Sequence, residues 1–237
     1  MKNIWRILFI QVVCLVGYGD GANAQAPASD FVSVRAGQFY VGEQPYTYLG
    51  ANLWYGMHLG MEGKQGDRER LLRELDQLKA LGVTNLRVLA SSEGPNTEAY
   101  RITPALQTAP GVYDETVFVG LDFLLDAMAQ REMKAVMVLS NFWMWSGGFP
   151  QYRAWAHGGD IPYPDIEGGG TWDPFIQYSL GFFTDRKANR TFRQYVKTLL
   201  KRRNTVNGRL YKQDPTIMAW QLCNEPRGYD QPEAYRA

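Results

Sequence analysis

The run Thr216-Ile217-Met218-Ala219-Trp220-Gln221-Leu222-Cys223-Asn224-Glu225-Pro226 is apolar along most of its length, then stops at an amide, a carboxylate and a proline. A short, nearly continuous apolar run fits a strand covered on both faces, as in a parallel sheet. Such strands do not ordinarily finish on an ionisable group unless something uses it there. Three earlier runs have the same character: Tyr46 to Leu53, Thr84 to Ala90 and Ala135 to Phe142.

Between the runs lie helical patterns. Asp67 to Leu81 places Leu71, Leu72, Leu75, Leu78 and Leu81 on one face, with Asp67 as N-cap and Gly82 as C-cap. Val119 to Met133 and Asp185 to Arg203 repeat the pattern, the latter with Phe192, Tyr195, Val196, Leu199 and Leu200 inward. Two short alternating runs, Phe31 to Arg35 and Gln38 to Val41, predict a hairpin ahead of the first core strand.

The order is therefore strand, helix, strand, helix, strand, helix, strand. The first two helices pass quickly into the next strand, but long segments, 91–118 and 143–184, follow the second and third strands. In a parallel α/β fold, long loops after the strands' C-terminal ends build the site. A doubly wound sheet and a (β/α)8 barrel both fit this order. Asn52-Leu53-Trp54-Tyr55-Gly56 lacks the G-x-G-x-x-G turn of a dinucleotide fold, which favours the barrel. A barrel needs about 250 residues. The chain is therefore expected to hold the first four strand–helix units, the N-terminal half of a barrel, truncated.

Lys2 and Arg6, the apolar run 7–16 and Ala22-Asn23-Ala24 predict a secretory signal peptide over residues 1–24, leaving 25–237 as the exported catalytic segment. No other stretch is long and apolar enough to cross a bilayer. Of the two cysteines, Cys14 falls in the signal segment and Cys223 reads as a small buried hydrophobe. Lys and Arg (25) nearly balance Asp and Glu (24), which argues against a nucleic-acid partner. Lys197, Lys201, Arg202 and Arg203 read as cations placed at a helix C-terminus. His58 and His157 lack metal-ligand spacing and read as solvated loop residues, so neither a metal nor another cofactor is expected. Asn189-Arg190-Thr191 matches a glycosylation acceptor, but inside a predicted helix.

Arg87 lies within a strand, sharing a face with Asn85 and Leu89. A buried guanidinium demands a partner, and the expectation is a carboxylate, either a structural one or one that Arg87 keeps ionised and oriented for catalysis. Glu225 is the candidate general acid/base, with Asn224 gripping a substrate hydroxyl; the alternative is a capping or surface glutamate. Strict alternation puts these neighbours on opposite faces. Both reach one pocket only if the strand ends or bulges there, as Pro226 suggests. Trp54, Tyr55, Trp143, Trp145, Trp155 and Trp172 all fall in predicted loops after strands. Flat aromatic faces beside Asn and Glu suit sugar rings.

Asn85-Leu86-Arg87-Val88, Ser140-Asn141-Phe142-Trp143 and Trp220 to Pro226 together resemble glycoside hydrolase family 5 over nearly all of the mature segment. Gly50 to Gly56 and Trp145-Ser146-Gly147-Gly148 resemble most closely its endo-β-1,4-mannanase branch. The resemblance implies a (β/α)8 retaining glycosidase acting on internal bonds of β-mannan. It makes Glu225 the acid/base, gives Asn224 the substrate 2-hydroxyl, and has Arg87 steady the nucleophile. Trp54, Asn141 and Trp143 would line the glycone side. The family's nucleophile, a Glu near the end of the seventh strand, would lie beyond this chain, so the segment alone should be inactive.

Two other readings compete. A β-1,4-glucanase of the same family would prefer carboxymethylcellulose to galactomannan. A non-catalytic carbohydrate-binding module would carry the aromatics without Arg87, Asn224 and Glu225. Two copies could also pair into a barrel, although bare sheet edges and helix faces favour aggregation. The oligomeric state is not legible in the sequence.

Overall fold

The computed structural model describes residues 30–98 and 100–229. The expected signal peptide, with Cys14, lies outside the described residues. The chain opens with β1 (Val32–Arg35), β2 (Gln38–Val41) and β3 (Gln44–Pro45), a small antiparallel sheet in which Val32 pairs with Val41. The expected hairpin is its first part. Then follow β4 (Leu49–Asn52), the short α1 (Gly56–Leu59), α2 (Arg68–Ala80) and β5 (Val83–Leu89). A small pair, β6 (Gln107–Ala109) and β7 (Val112–Tyr113), precedes α3 (Glu115–Ala129) and β8 (Lys134–Val138). Next come α4 (Gly148–His157), α5 (Asp173–Leu180), α6 (Arg186–Lys201) and β9 (Ile217–Gln221).

The central sheet has the order β4-β5-β8-β9, every pair parallel. Each new strand is added on the same side of the last. A doubly wound sheet reverses that order at its switch point, whereas a barrel does not. The strands are four consecutive staves of a (β/α)8 barrel. β5 and β8 are largely buried, as their composition predicts, while at the two margins β4 is mostly exposed and β9 mostly half-buried. Among the described residues no helix is long and apolar enough to cross a membrane.

Local chemistry sets the helix ends. The Asp67 carboxylate accepts from Arg70 N at 2.9 Å and caps α2, whose Leu71 and Leu75 are buried. Leu81, expected on the apolar face, sits past the last turn and is 74% exposed, ahead of Gly82 at φ +85°. α3 starts four residues earlier than its apolar pattern suggests, because Asp114 accepts from Thr116 N at 2.9 Å. Glu132 at φ +56° then turns the chain into β8. Asp185 caps α6, accepting from Lys187 N and Ala188 N at 3.0 and 3.1 Å.

Two expectations need correction. Segment 143–184 is not a plain loop but carries α4 and α5; Gly147-Gly148 and Pro150 disguise the first, and the second is a short helix of 8 residues. Neither histidine lies in a loop. His58 lies in α1, partly buried, with Nε2 2.9 Å from the Pro104 carbonyl, and His157, exposed, ends α4 with Nε2 2.6 Å from Asp185. Arg202 stands at the C-terminal end of α6, as expected, and also folds back onto Asp122 at 2.6 Å and Glu115 at 2.7 Å. Burial lowers the pKa of His58. Cys223 is buried and free, and burial pushes its thiol far above the ordinary range.

Candidate active site

The site lies where the parallel strands end. Arg87, near the end of β5, is surrounded by amide oxygens. Its Nε donates to Gln221 Oε1 at 2.7 Å, one Nη to Asn224 Oδ1 at 2.9 Å and the other to Asn52 Oδ1 at 3.3 Å. Three strands therefore converge on one guanidinium: β4 ends on Asn52, β5 carries Arg87, and β9 supplies Gln221 with Asn224 just past its end. The expected carboxylate partner is absent from these contacts. Burial lowers the Arg87 pKa, and the Glu225 charge offsets that only in part.

Hydrogen bonds continue from Arg87 across the strand ends. Asn224 Nδ2 donates to Asn141 Oδ1 at 2.9 Å, and Asn141 Nδ2 donates to Ser146 Oγ at 3.0 Å. Asn141 Oδ1 also accepts from the Trp143 backbone N–H at 3.0 Å. Each amide thus has one consistent orientation, donor to acceptor along the row.

Glu225 stands at the end of this row. The ladder continues past β9, with Asn224 N donating to the Ser140 carbonyl at 2.7 Å and Phe142 N to the Asn224 carbonyl at 3.0 Å. Leu222 turns outward, and Glu225 adopts φ +46°. This left-handed residue breaks the alternation at the strand's end, where Asn224 bonds Arg87 and Asn141 and Glu225 bonds Trp143. Glu225 Oε2 accepts from Trp143 Nε1 at 2.8 Å and from Arg227 at 3.3 Å. The Trp143 bond foremost, then Arg227, hold its pKa below the usual carboxylate value, with Arg87 adding a smaller pull.

Two aromatic groups lie in the segments that follow the strands, and the first holds the carboxylate through Trp143. Trp143 meets Trp172 edge-on at 5.6 Å and stacks on Phe175 at 6.2 Å. Trp54, 47% exposed, meets Tyr55 edge-on at 5.2 Å and Trp145 at 6.1 Å, beside a cavity of 650 Å³ that His58 and Tyr100 also line. Trp155 joins neither group: it rides on α4 against Tyr152. Among the described residues, no group of three His, Cys, Asp or Glu side chains is arranged to hold a metal ion.

The structure thus links Arg87, Asn141, Asn224, Trp143 and Glu225 in one bonded set, while Trp54 belongs to a separate aromatic group with Tyr55 and Trp145. Sequence reasoning missed Asn52, Gln221, Ser146 and Arg227. A signal existed for Gln221, the one strongly polar side chain between Thr216 and Asn224 in an otherwise apolar run.

A family model described as GH family 5 beta-mannosidase-like matches residues 29–236. A mannan endo-1,4-beta-mannosidase from Arabidopsis thaliana is 30% identical over 227 residues, covering 96% of this chain and 48% of that protein. A crystal structure of a glycoside hydrolase family 5 mannosidase from Rhizomucor miehei is 48% identical with a TM-score of 0.80, covering 83% of this chain and 49% of that one. A mutant of a family 5 mannosidase from the same organism, in complex with mannosyl-fructose, is 47% identical with a TM-score of 0.79, again over 83% and 49%. The chain spans about half the length of the curated relatives it matches.

Proposed function

Because this chain belongs to the GH family 5 beta-mannosidase-like family, we propose that the protein is a retaining glycoside hydrolase cleaving β-1,4-mannosidic bonds in mannans. Glu225 is its acid/base. The observation that carries the reading is the Trp143–Glu225 bond standing over the Arg87–Asn224–Asn141 row. Protonated Glu225 gives its proton to the glycosidic oxygen as the bond breaks, then as carboxylate takes one from the water that releases the glycosyl-enzyme. Asn224 is our candidate for gripping a sugar hydroxyl, and Trp54 and Trp143 would offer faces to the rings; Asn141, fully buried, instead orients Asn224 from behind.

Retention needs a second carboxylate about 5–5.5 Å from the first. We place that nucleophile in a longer catalytic domain of which residues 25–237 form the N-terminal half. A carboxylate there would supply the charge that Arg87 lacks among its amide partners. The basic and apolar start, residues 1–24, supports export.

Attack within the polymer is the favoured mode, supported by the mannan endo-1,4-beta-mannosidases among the relatives. Attack from a chain end is the second reading, supported by the mannosidase names of the two more identical structures. The test uses the whole reading frame on galactomannan, carboxymethylcellulose and mannohexaose. Internal cleavage gives mid-sized products from the hexaose, and end-on cleavage releases mannose together with a hexaose shortened one unit at a time. Glu225→Gln should lower kcat by about 10²–10⁴. Full turnover in that variant, or a clear preference for the glucan, ends the reading.

A further inference from the structure

Glu93 follows β5, is 1% exposed, and takes no part in the chemistry derived above. It fastens three segments together. Its backbone N–H donates to the Ser146 carbonyl at 2.7 Å, and its carboxylate Oε2 accepts from Gly148 N at 2.8 Å. Its carbonyl accepts from Arg101 at 3.2 Å. The clamped segment, 141–148, is the one that supplies Asn141 to Asn224 and Trp143 to Glu225. We propose that Glu93 is a positioning residue for the acid/base: by gripping the start of α4 it fixes segment 141–148 and so sets the Trp143 indole N–H against Glu225.

Other bonds also hold this segment: Ile102 N donates to the Trp145 carbonyl and Phe149 N to that of Asn141, both at 2.8 Å. Gly148 N, however, is held by the Glu93 carboxylate. Gly147 and Gly148 have φ +94° and +64°, conformations other residues rarely adopt. A Cβ on Gly147 would lie 2.3 Å from the Glu93 carbonyl oxygen, and one on Gly148 would lie 2.1 Å from that of Asn141. Two glycines are thus pressed between the Glu93 backbone and the site, and the carboxylate bond to Gly148 N ties their backbone directly to Glu93.

The carboxyl's surroundings fit a held group that keeps its proton to higher pH than an exposed glutamate. Burial pushes its pKa up to about 7, against the Gly148 bond and the pull of Arg101. Tyr152 of α4 faces it with its hydroxyl turned to Gln107, so Oε1 has no donor in bonding geometry among the described residues. Tyr195 of α6 and the Cys223 thiol beyond β9 complete the titratable groups whose charges it feels. A glutamine can replace such a group, because its amide oxygen still accepts from Gly148 N.

The inference rests on Glu225 as acid/base, and its test separates the two. In the whole protein, Glu93→Ala and the shorter Glu93→Asp should lower kcat about 10²-fold with KM nearly unchanged, a displaced reacting group being costly even when moved from a distance. Their alkaline limb in the pH profile should move up, in the same direction as in Trp143→Phe. Glu93→Gln should restore both. The double variant Glu93→Ala/Trp143→Phe should lose much less than the sum of its parts.

A readout without turnover comes from the tryptophan emission step with pH that Trp143→Phe abolishes. Its midpoint should shift in Glu93→Asp and hold in Glu93→Gln. A folded Glu93→Ala or Glu93→Asp protein with wild-type kcat, limb and emission midpoint, or an additive double variant, overturns the inference. If Glu225→Gln is fully active, the functional reading fails, while the emission midpoint still decides whether Glu93 sets Trp143.

Discussion

Two of the part-buried arginines, Arg202 and Arg87, are satisfied in opposite ways. Arg202, in the connection from α6 to β9, grips Asp122 of α3 through Nε at 2.9 Å and Nη2 at 2.6 Å. It adds Glu115 at 2.7 Å and lies over the Phe118 ring at 4.3 Å. Burial alone would lower its pKa, but the bonds to Asp122 and Glu115 outweigh that and raise it. Arg87, among the strand ends, has only neutral amide oxygens within bonding distance, and there burial wins. One guanidinium has its counter-charge built in and closes the helix-to-strand side. The other keeps its charge uncancelled and faces the end where the long loops gather. Their difference separates the part of the fold that secures stability from the part that meets an anion.

The largest test of that contrast removes the counter-charge. Asp122 is fully buried and also accepts from Tyr211 at 2.6 Å and from Thr205 at 2.8 Å. Asp122→Ala leaves Arg202 with only the exposed Glu115 and strips Tyr211 and Thr205 of their buried acceptor, and should cost about 3–5 kcal/mol in urea unfolding of the whole protein. Arg87→Met should act the other way round. It removes a preorganised charge from the site, so kcat should fall about 10²–10³-fold, while the unfolding midpoint moves much less than for Asp122→Ala. If both variants lose mainly stability, the division between the two arginines is wrong.

A subtler change sharpens the same comparison at the carboxylate. Trp143→Phe keeps a ring but deletes the N–H that does most to hold the Glu225 pKa down. The acid then keeps its proton to higher pH, and the alkaline limb of kcat/KM should move up. The smallest effect belongs to Glu115, whose side chain is 63% exposed where it meets Arg202. Glu115→Ala should cost no more than about 1 kcal/mol, the range of an exposed ion pair, read from the same urea curve.

The four parallel strands and three main helices were legible because each carries its own period or apolar run. Glu225 and Asn224 were legible because polar groups that end a buried run are conspicuous. The strand's early end was also readable, since Pro226 marks it, and β9 stops at Gln221. The partners of Arg87 were not. Burial calls for some acceptor, but three amides from β4, β9 and the turn beyond it satisfy the guanidinium as well as one carboxylate, and only the pairing of Asn52 with Arg87 across the sheet reveals the first of them. The pairing of Arg202 with Asp122, 80 residues apart, leaves no local trace. Nor do α4 and α5, whose glycines and prolines imitate turns.

The left-handed backbone at Glu225 has a consequence for anyone seeking to toughen this protein. A non-glycine side chain held there costs of order 1–3 kcal/mol. Glycine or asparagine would relieve that cost while deleting the acid. A screen that rewards heat resistance alone should therefore collect sturdier, inert proteins altered at position 225, and any such campaign needs turnover as a second gate.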